Sequence, residues 1–216
     1  MIMIKLKQFV FNSLQVNSWL LYDEGGNGVL IDAAFNSPKE QQILDEYIQQ
    51  HRIVLRYLLN THGHFDHLMG AAVVKSTYDP LFLIHRDDLP LLETAAGQAA
   101  FFGFGINGTI PAPDGFLEPG MWLTTGAIRL QVLEVPGHSR GGVAFHEPAM
   151  RWLFTGDTLF AGGIGRTDLP GGDYNSLMAS IRDQLLVLDP ATEVFPGHGP
   201  TSTIGAEILG NPFLAD

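Results

Sequence analysis

The sequence predicts an α+β fold in which two sheets pack together and helices cover their outer faces. Three observations lead there. Hydrophobic residues make up 45% of the 216-residue chain and charged residues only 16%, which suits a well-covered interior and not a disordered polymer. A strand-rich opening followed by helices recurs in the second half, the order expected of two sheets with helices outside. No internal repeat and no linker divides the chain, so one domain is expected over 1–216.

The elements follow in order. Lys5 to Phe11 and Trp19 to Tyr22 read as strands, and Val29 to Ile31 as a third after the Gly25-Gly26-Asn27-Gly28 turn. Ser37, Pro38 and Glu40 then form a capping box with proline at the first helical position. Ile43, Leu44, Tyr47 and Ile48 recur at helical spacing behind it, giving one apolar face. Ile53 to Leu59, apolar except for Arg56, reads as a strand buried within a sheet. A small-residue helix from Leu68 to Tyr78, a strand from Leu81 to Ile84 and a helix ending near Ala96 come next. Gly97 to Gly120 has no period and is read as a functional lid. Strands are then expected at Ile128 to Val135, Gly142 to His146, Arg151 to Phe154 and Glu193 to Phe195. Helices are expected from Tyr174 to Leu188 and from near Thr203, with a Gly-rich loop over Ala161 to Asp173.

Composition removes several function classes. The start, Met1-Ile2-Met3-Ile4-Lys5-Leu6-Lys7, lacks the apolar core of a signal peptide, and no run approaches the roughly 18 apolar residues of a membrane span. A cytoplasmic protein with no membrane partner is expected. There is no cysteine, so any metal must be held by His, Asp or Glu. A net charge of −11 opposes long-range attraction to nucleic acid.

The chemistry concentrates in His62-Gly63-His64-Phe65-Asp66-His67. At this composition an H-x-H-x-D-H match arises by chance about once in a thousand such chains. His62 and His64, two apart in an extended segment leaving a strand, point the same way and can grip one ion. Asp66 and His67 lie beyond the turn, where they can reach an adjacent position. Further donors must come from elsewhere, and three candidates follow strands among glycines: His138, Asp157 and His198. A lone His or Asp after Gly is ordinarily a turn or cap residue. Four such loops in one chain are what a metal site assembled from separate segments requires. Seven donors of this kind suit two divalent ions of Zn²⁺, Fe or Mn²⁺, among which the donor types do not choose. His51, His85 and His146 match nothing and are read as surface or packing residues. Phe101-Phe102-Gly103-Phe104 is read as core or lid packing before recognition. Gly162-Gly163-Ile164-Gly165 lacks the strand–loop–helix context of a phosphate loop.

The ordered set H-x-H-x-D-H, G-H, G-D, G-H resembles the metallo-β-lactamase superfamily over nearly the whole chain. Phe154-Thr155-Gly156-Asp157-Thr158-Leu159-Phe160 and Gly165-Arg166-Thr167-Asp168 are similar to glyoxalase II-type hydroxyacylglutathione hydrolases. Gly197-His198-Gly199-Pro200-Thr201 and Asn211-Pro212-Phe213 resemble their short bacterial relatives in particular. The resemblance implies an αββα sandwich of two mixed sheets. It implies one metal on His62, His64 and His138, a second on Asp66, His67 and His198, and Asp157 bridging. It implies hydrolysis of S-(2-hydroxyacyl)glutathione or a related small-molecule thioester by a metal-bridging hydroxide, with Asp66 orienting the nucleophile. Asp157 in place of Cys, together with His67, disfavours lactam hydrolysis. The basic and tyrosine contacts that a C-terminal helical segment gives full-length glyoxalase II have no counterpart in the eighteen residues after His198. Arg140 and Arg166, beside ligand loops, are candidates to meet a substrate carboxylate or to brace backbone carbonyls. The alternative the resemblance offers is a persulfide dioxygenase-like enzyme holding one Fe through His62, His138 and Asp157.

Overall fold

The structure, a computed structural model, describes residues 3–106 and 108–215. The first sheet runs β1 (Ile4–Phe11), β2 (Val16–Asp23), β3 (Asn27–Ile31), β4 (Val54–Leu59), β5 (Leu81–His85) and β6 (Gly115–Leu117), neighbours in that order. Its first three strands are antiparallel, and the pairs from β3 to β6 are parallel. In the second half come β7 (Trp122–Thr125), β8 (Ile128–Glu134), β9 (Val143–Glu147) and β10 (Trp152–Gly156). A two-residue hairpin, β11 (Leu159–Phe160) and β12 (Gly163–Ile164), separates these from β13 (Glu193–Pro196) and β14 (Ser202–Thr203). The second sheet orders them β14-β13-β10-β9-β8-β7, with β10 and β13 parallel and the other pairs antiparallel. Both sheets are mixed.

Side-chain alternation sorts the interior into three cores. In the first sheet Leu20, Leu30 and Leu58 face the helices α1 (Pro38–Gln50), α2 (Ala71–Tyr78) and α3 (Leu89–Phe101), meeting Leu44, Ile48, Val74 and Ala95. One residue on, Trp19, Leu21, Ile31 and Leu59 face the other sheet and meet Leu130, Val132, Phe145 and Phe154. The outer face of the second sheet, with Ala144, Leu153 and Val194, is covered by α4 (Tyr174–Ser180), a π turn at Ile181–Leu185 and α5 (Ile204–Gly210). Period-2 burial on both faces of both sheets is what an αββα sandwich demands. Among the described residues no helix is long and apolar enough to cross a membrane.

Several expectations need correction. Ser37 caps α1 by accepting from the Glu40 N–H at 3.3 Å, but Glu40 does not close the box onto Ser37. Its carboxylate accepts from Asn36 N at 2.9 Å and Asn12 N at 2.6 Å, tying the helix start to the β1–β2 turn instead. Ile43 is exposed, so the apolar face is Leu44 and Ile48 with Tyr47 at its edge. α3 runs on through Gly97 to Phe101, because Ala95 and Ala99 keep packing against the core on the same face. The segment read as a lid from Gly97 to Gly120 is therefore part helix and part strand β6; its position 107 lies outside the described residues. The short strands β6, β7 and β14 carry too few residues for a period to show.

Asp23 links the two halves. Its carboxylate accepts from Asn27 N at 3.0 Å and, across the sandwich, from Ala127 N at 2.8 Å. Burial alone would raise its pKa, but these hydrogen bonds outweigh it and hold the group below its ordinary value of 3.8. With the folded pKa below the unfolded one, the carboxylate's stabilisation is complete above the unfolded value and is lost as pH falls through the folded one. Asp23→Asn should cost about 1–2 kcal/mol at pH 7, a melting-temperature drop of roughly 2–6 °C for a chain of this size. Thermal melts should show that gap narrowing at pH 3; a gap independent of pH would refute the role of the charge.

Candidate metal centre

The functional side chains leave the ends of strands at one rim of the sandwich. β4 ends at Leu59, and Asn60 to His64 continue it into a 3-10 turn at Phe65–His67. β8 leads to His138, β10 to Asp157 and β13 to His198. Because β10 and β13 are parallel, Asp157 and His198 arrive at the same level, fixed by Gly197 N donating to Gly156 O at 2.8 Å. The two sheets are joined at this rim by Val143 N donating to Thr61 O at 2.9 Å. Glycine is required at two points. A Cβ on Gly156, which has φ +50°, would come within 2.4 Å of Thr61 Oγ1; one on Gly197 would come within 2.2 Å of Asp157 Oδ1.

All seven residues of the predicted set converge. Three groups have donor atoms within 4.8 Å of one another: His62, His64 and His138; His62, His67 and Asp157; Asp66, His67 and His198. His67 Nε2 lies 3.4 Å from Asp157 Oδ1 and 3.8 Å from Asp66 Oδ2. His198 Nε2 lies 3.5 Å from both Asp66 Oδ2 and Asp157 Oδ2, and His138 Nε2 lies 3.7 Å from Asp157 Oδ2. These separations are long for hydrogen bonds. They match the spacing of about 3.4 Å between donors that each sit roughly 2.1 Å from one tetrahedral ion.

The polar atoms left over make the same point. Among the described residues, His62 Nε2, His67 Nε2, Asp157 Oδ1 and Asn60 Oδ1 are the buried side-chain atoms without a hydrogen-bond partner. Three of the four belong to this cluster. An unpaired buried polar atom costs roughly 1–3 kcal/mol, so three together describe a cradle for a cation.

Four of the five imidazoles are held from behind. His67 Nδ1 donates to Asp32 Oδ2 at 2.8 Å, His138 Nδ1 to Arg166 O at 2.8 Å and His198 Nδ1 to Leu14 O at 3.0 Å. His62 Nδ1 donates to Thr61 Oγ1 at 3.0 Å, and the Thr61 hydroxyl in turn donates a hydrogen bond to Asp32 Oδ2 at 2.7 Å. These four rings thus present Nε2 to the cluster, the arrangement by which second-partner hydrogen bonds fix a ligand's tautomer. His64 is turned the other way, its Nδ1 lying 2.9 Å from His138 Nε2.

Protonation follows the geometry. Burial, reinforced by repulsion from His67, His138 and His64, holds His62 well below its ordinary pKa. Burial and the neighbouring His138 push His64 down to about 4. Burial would raise Asp157, but the adjacent His67 and His198 hold it well below the carboxylate range. His67 goes the opposite way, because Asp157, Asp66 and Asp32 outweigh its burial. At neutral pH, then, His62 and His64 offer lone pairs and Asp157 a charge, the forms metals bind.

Two buried aspartates escaped the sequence reading. Asp32 stands just past β3 with φ +57° and accepts from Thr61 N, Thr61 Oγ1 and His67 Nδ1. Its place at a strand end was the available signal. Asp88 accepts from Gly63 N and Ser139 Oγ, each at 2.8 Å, and from Gly141 N at 2.7 Å. It thereby joins the His62–His64 loop to the His138 loop. The two arginines separate. Arg166 lines the cavity above the cluster, its guanidinium bonded twice to Asp168 at 2.7 Å. Arg140 lines a neighbouring cleft with Asp87 and Asp173. Phe101 and Phe102, expected in packing, are 84% and 51% exposed and face that cavity as well.

A family model described as the metallo-beta-lactamase superfamily matches residues 12–198. The chain is similar to the hydroxyacylglutathione hydrolase GloC of Haemophilus influenzae, 37% identical over 210 residues that cover 94% of each protein. A crystal structure of the BLEG-1 B3 metallo-beta-lactamase superposes with a TM-score of 0.90 at 34% identity, over 98% of this chain and all of the other. A crystal structure of TTHA1623 in a di-iron-bound form superposes with a TM-score of 0.87 at 40% identity, over 96% of this chain and all of the other.

Proposed function

This chain belongs to the metallo-beta-lactamase superfamily, and from that membership we propose that it is a two-metal thioester hydrolase of the glyoxalase II type. The observation that carries the reading is the pair of donor sets around Asp157, whose oxygens lie between His67 on one side and His138 on the other. His62, His64 and His138 would hold one divalent ion, and Asp66, His67 and His198 the second, with Asp157 shared. Zinc is the proposed metal. Iron, as in the di-iron form of the similar TTHA1623, is the second. When bound, the pair supplies a water acidified toward neutrality and a Lewis acid for the carbonyl oxygen.

The chain's own groups do the rest. Asp66, poised between His67 and His198, holds its carboxylate ionised: burial opposes this, but His67 and His198 prevail. Its oxygen orients the attacking water and accepts its hydrogen bond. Phe65, Leu91 and Phe102 give the cavity apolar walls. No general acid is demanded, since a thiol of pKa about 8.5 leaves as thiolate. The similarity to GloC supports a thioester over other acyl substrates. The similarity to BLEG-1 makes a cephalosporin the necessary control.

Purified protein should carry about two Zn or Fe per chain by plasma emission and release thiol from S-lactoylglutathione or a simpler thioester. One Fe per chain with oxygen uptake on a persulfide would transfer the assignment to a dioxygenase, and cephalosporin opening without thioester turnover to a lactamase. Asp66→Asn should fold normally and lose about 100-fold or more in kcat; near-wild-type turnover would remove Asp66 from the reaction.

A further inference from the structure

The cavity over the cluster encloses about 810 Å³, the size of a small-molecule site. Its floor carries His64, Asp66, Asp157 and His198. One wall is a face of α3, where Leu91, Thr94, Gln98 and Phe101 recur at helical spacing and Phe102 follows. The opposite wall is Leu14, Leu169 and Pro170. Gly97, whose side-chain position meets no atom within 4 Å, leaves the helical wall open at its middle. The aromatic rings form a continuous strip outward from the ligand loop. Phe65 stacks on Phe102 at 5.6 Å, and Phe102 meets Phe101 edge-on at 5.2 Å.

Away from the proposed metal donors, charge in the cavity is sparse. Among the described lining residues Arg166 is the one Lys or Arg, and its guanidinium is already spent on Asp168. The carboxylates in the lining, Asp66 and Asp157, belong to the proposed donor set, and the chain carries −11 overall. A glutathionyl arm brings two carboxylates, and among the described lining residues only Arg166, already paired with Asp168, could meet them. Contiguous exposed apolar rings at a reaction site mark ligand contact.

We infer that the larger arm of the substrate is an uncharged apolar chain or ring, laid along α3 against Phe101 and Phe102, and not a glutathionyl peptide. The inference rests on the thioester-hydrolase reading for the nature of the reacting bond, and on the cavity for the arm. Each methylene moved from water into such a wall is worth about fourfold in binding.

The test therefore uses unreactive thioethers and reads binding alone. Calorimetric titration of the full, metal-loaded chain would compare S-octyl- and S-methyl-N-acetylcysteamine with S-methylglutathione. The octyl compound, with about half of its seven extra methylenes buried, should bind at least about 100-fold tighter than the methyl one, and S-methylglutathione no better than its neutral counterpart. In Phe101→Ala/Phe102→Ala the octyl advantage should shrink about tenfold or more, both side chains being exposed enough to truncate without opening the core. An octyl compound bound no tighter than methyl, an advantage untouched by the double substitution, or a tenfold preference for the glutathione conjugate would each overturn the inference. Thiol release from the matching thioesters is a separate reading: its absence removes the hydrolase and leaves the binding result standing.

Discussion

Asp157→Asn is expected to reduce thioester turnover by at least about 1,000-fold and to leave no more than one firmly held metal per chain. The magnitude follows from position. Asp157 Oδ1 faces His67 Nε2 at 3.4 Å, while Oδ2 faces His138 Nε2 and His198 Nε2 at 3.7 and 3.5 Å. An asparagine has the same shape but only one oxygen for these two positions. Turned one way its NH2 meets His138 and His198, turned the other way it meets His67, and in either place it cannot ligate. The substitution also removes one of only two carboxylates proposed to offset the charge of two divalent cations. Partners that merely orient a ligand are worth roughly 10–100-fold in affinity or activity, so a shared ligand should exceed that. Plasma emission and turnover on the same preparation decide the matter. Two metals per chain with turnover within tenfold of wild type would end the bridging role.

The seven residues that converge were legible because each announces itself locally. His62 to His67 is a compact motif, and His138, Asp157 and His198 each follow glycine at the end of an apolar run. The groups that aim those donors were not legible, and the reason is distance along the chain. Asp32 acts on Thr61 and His67, 29 and 35 residues away, and Asp88 on Ser139 and Gly141, 51 and 53 residues away. Asp88 also sits where sequence suggests an ordinary helix cap, directly before α3, yet its side chain makes no bond to that helix. The layers were readable from alternation and periodicity. The end of α3 was not, because Gly97 weakens the helical signal just where packing of Ala95 and Ala99 carries the helix onward. That extension turns Phe101 and Phe102 from expected packing residues into walls of the cavity.

Asp88→Ala should produce the largest loss of stability of any change considered, about 3–5 kcal/mol. Asp88 is fully buried, and burial raises its pKa despite three hydrogen-bond donors around it. Those donors are the Gly63 N–H, the Ser139 hydroxyl and the Gly141 N–H. Alanine would strand two backbone N–H groups that have no room to reach water, and would open a void between the loops that carry His62, His64 and His138. For a chain of this size the melting temperature should fall by roughly 6–15 °C. Zinc affinity should fall about 10–100-fold at the His62, His64 and His138 set, since its two loops would no longer be held in register. Asp88→Asn keeps the volume and separates the two effects. One of its atoms becomes a donor facing a donor, so it should cost about 1–3 kcal/mol while retaining most of the packing. Melting curves with and without added zinc, on both variants, provide the check. If Asp88→Ala melted within 2 °C of wild type in the presence of chelator, the carboxylate would not be what holds these loops together, and the orientation of His64 and His138 would have to come from the sheets alone.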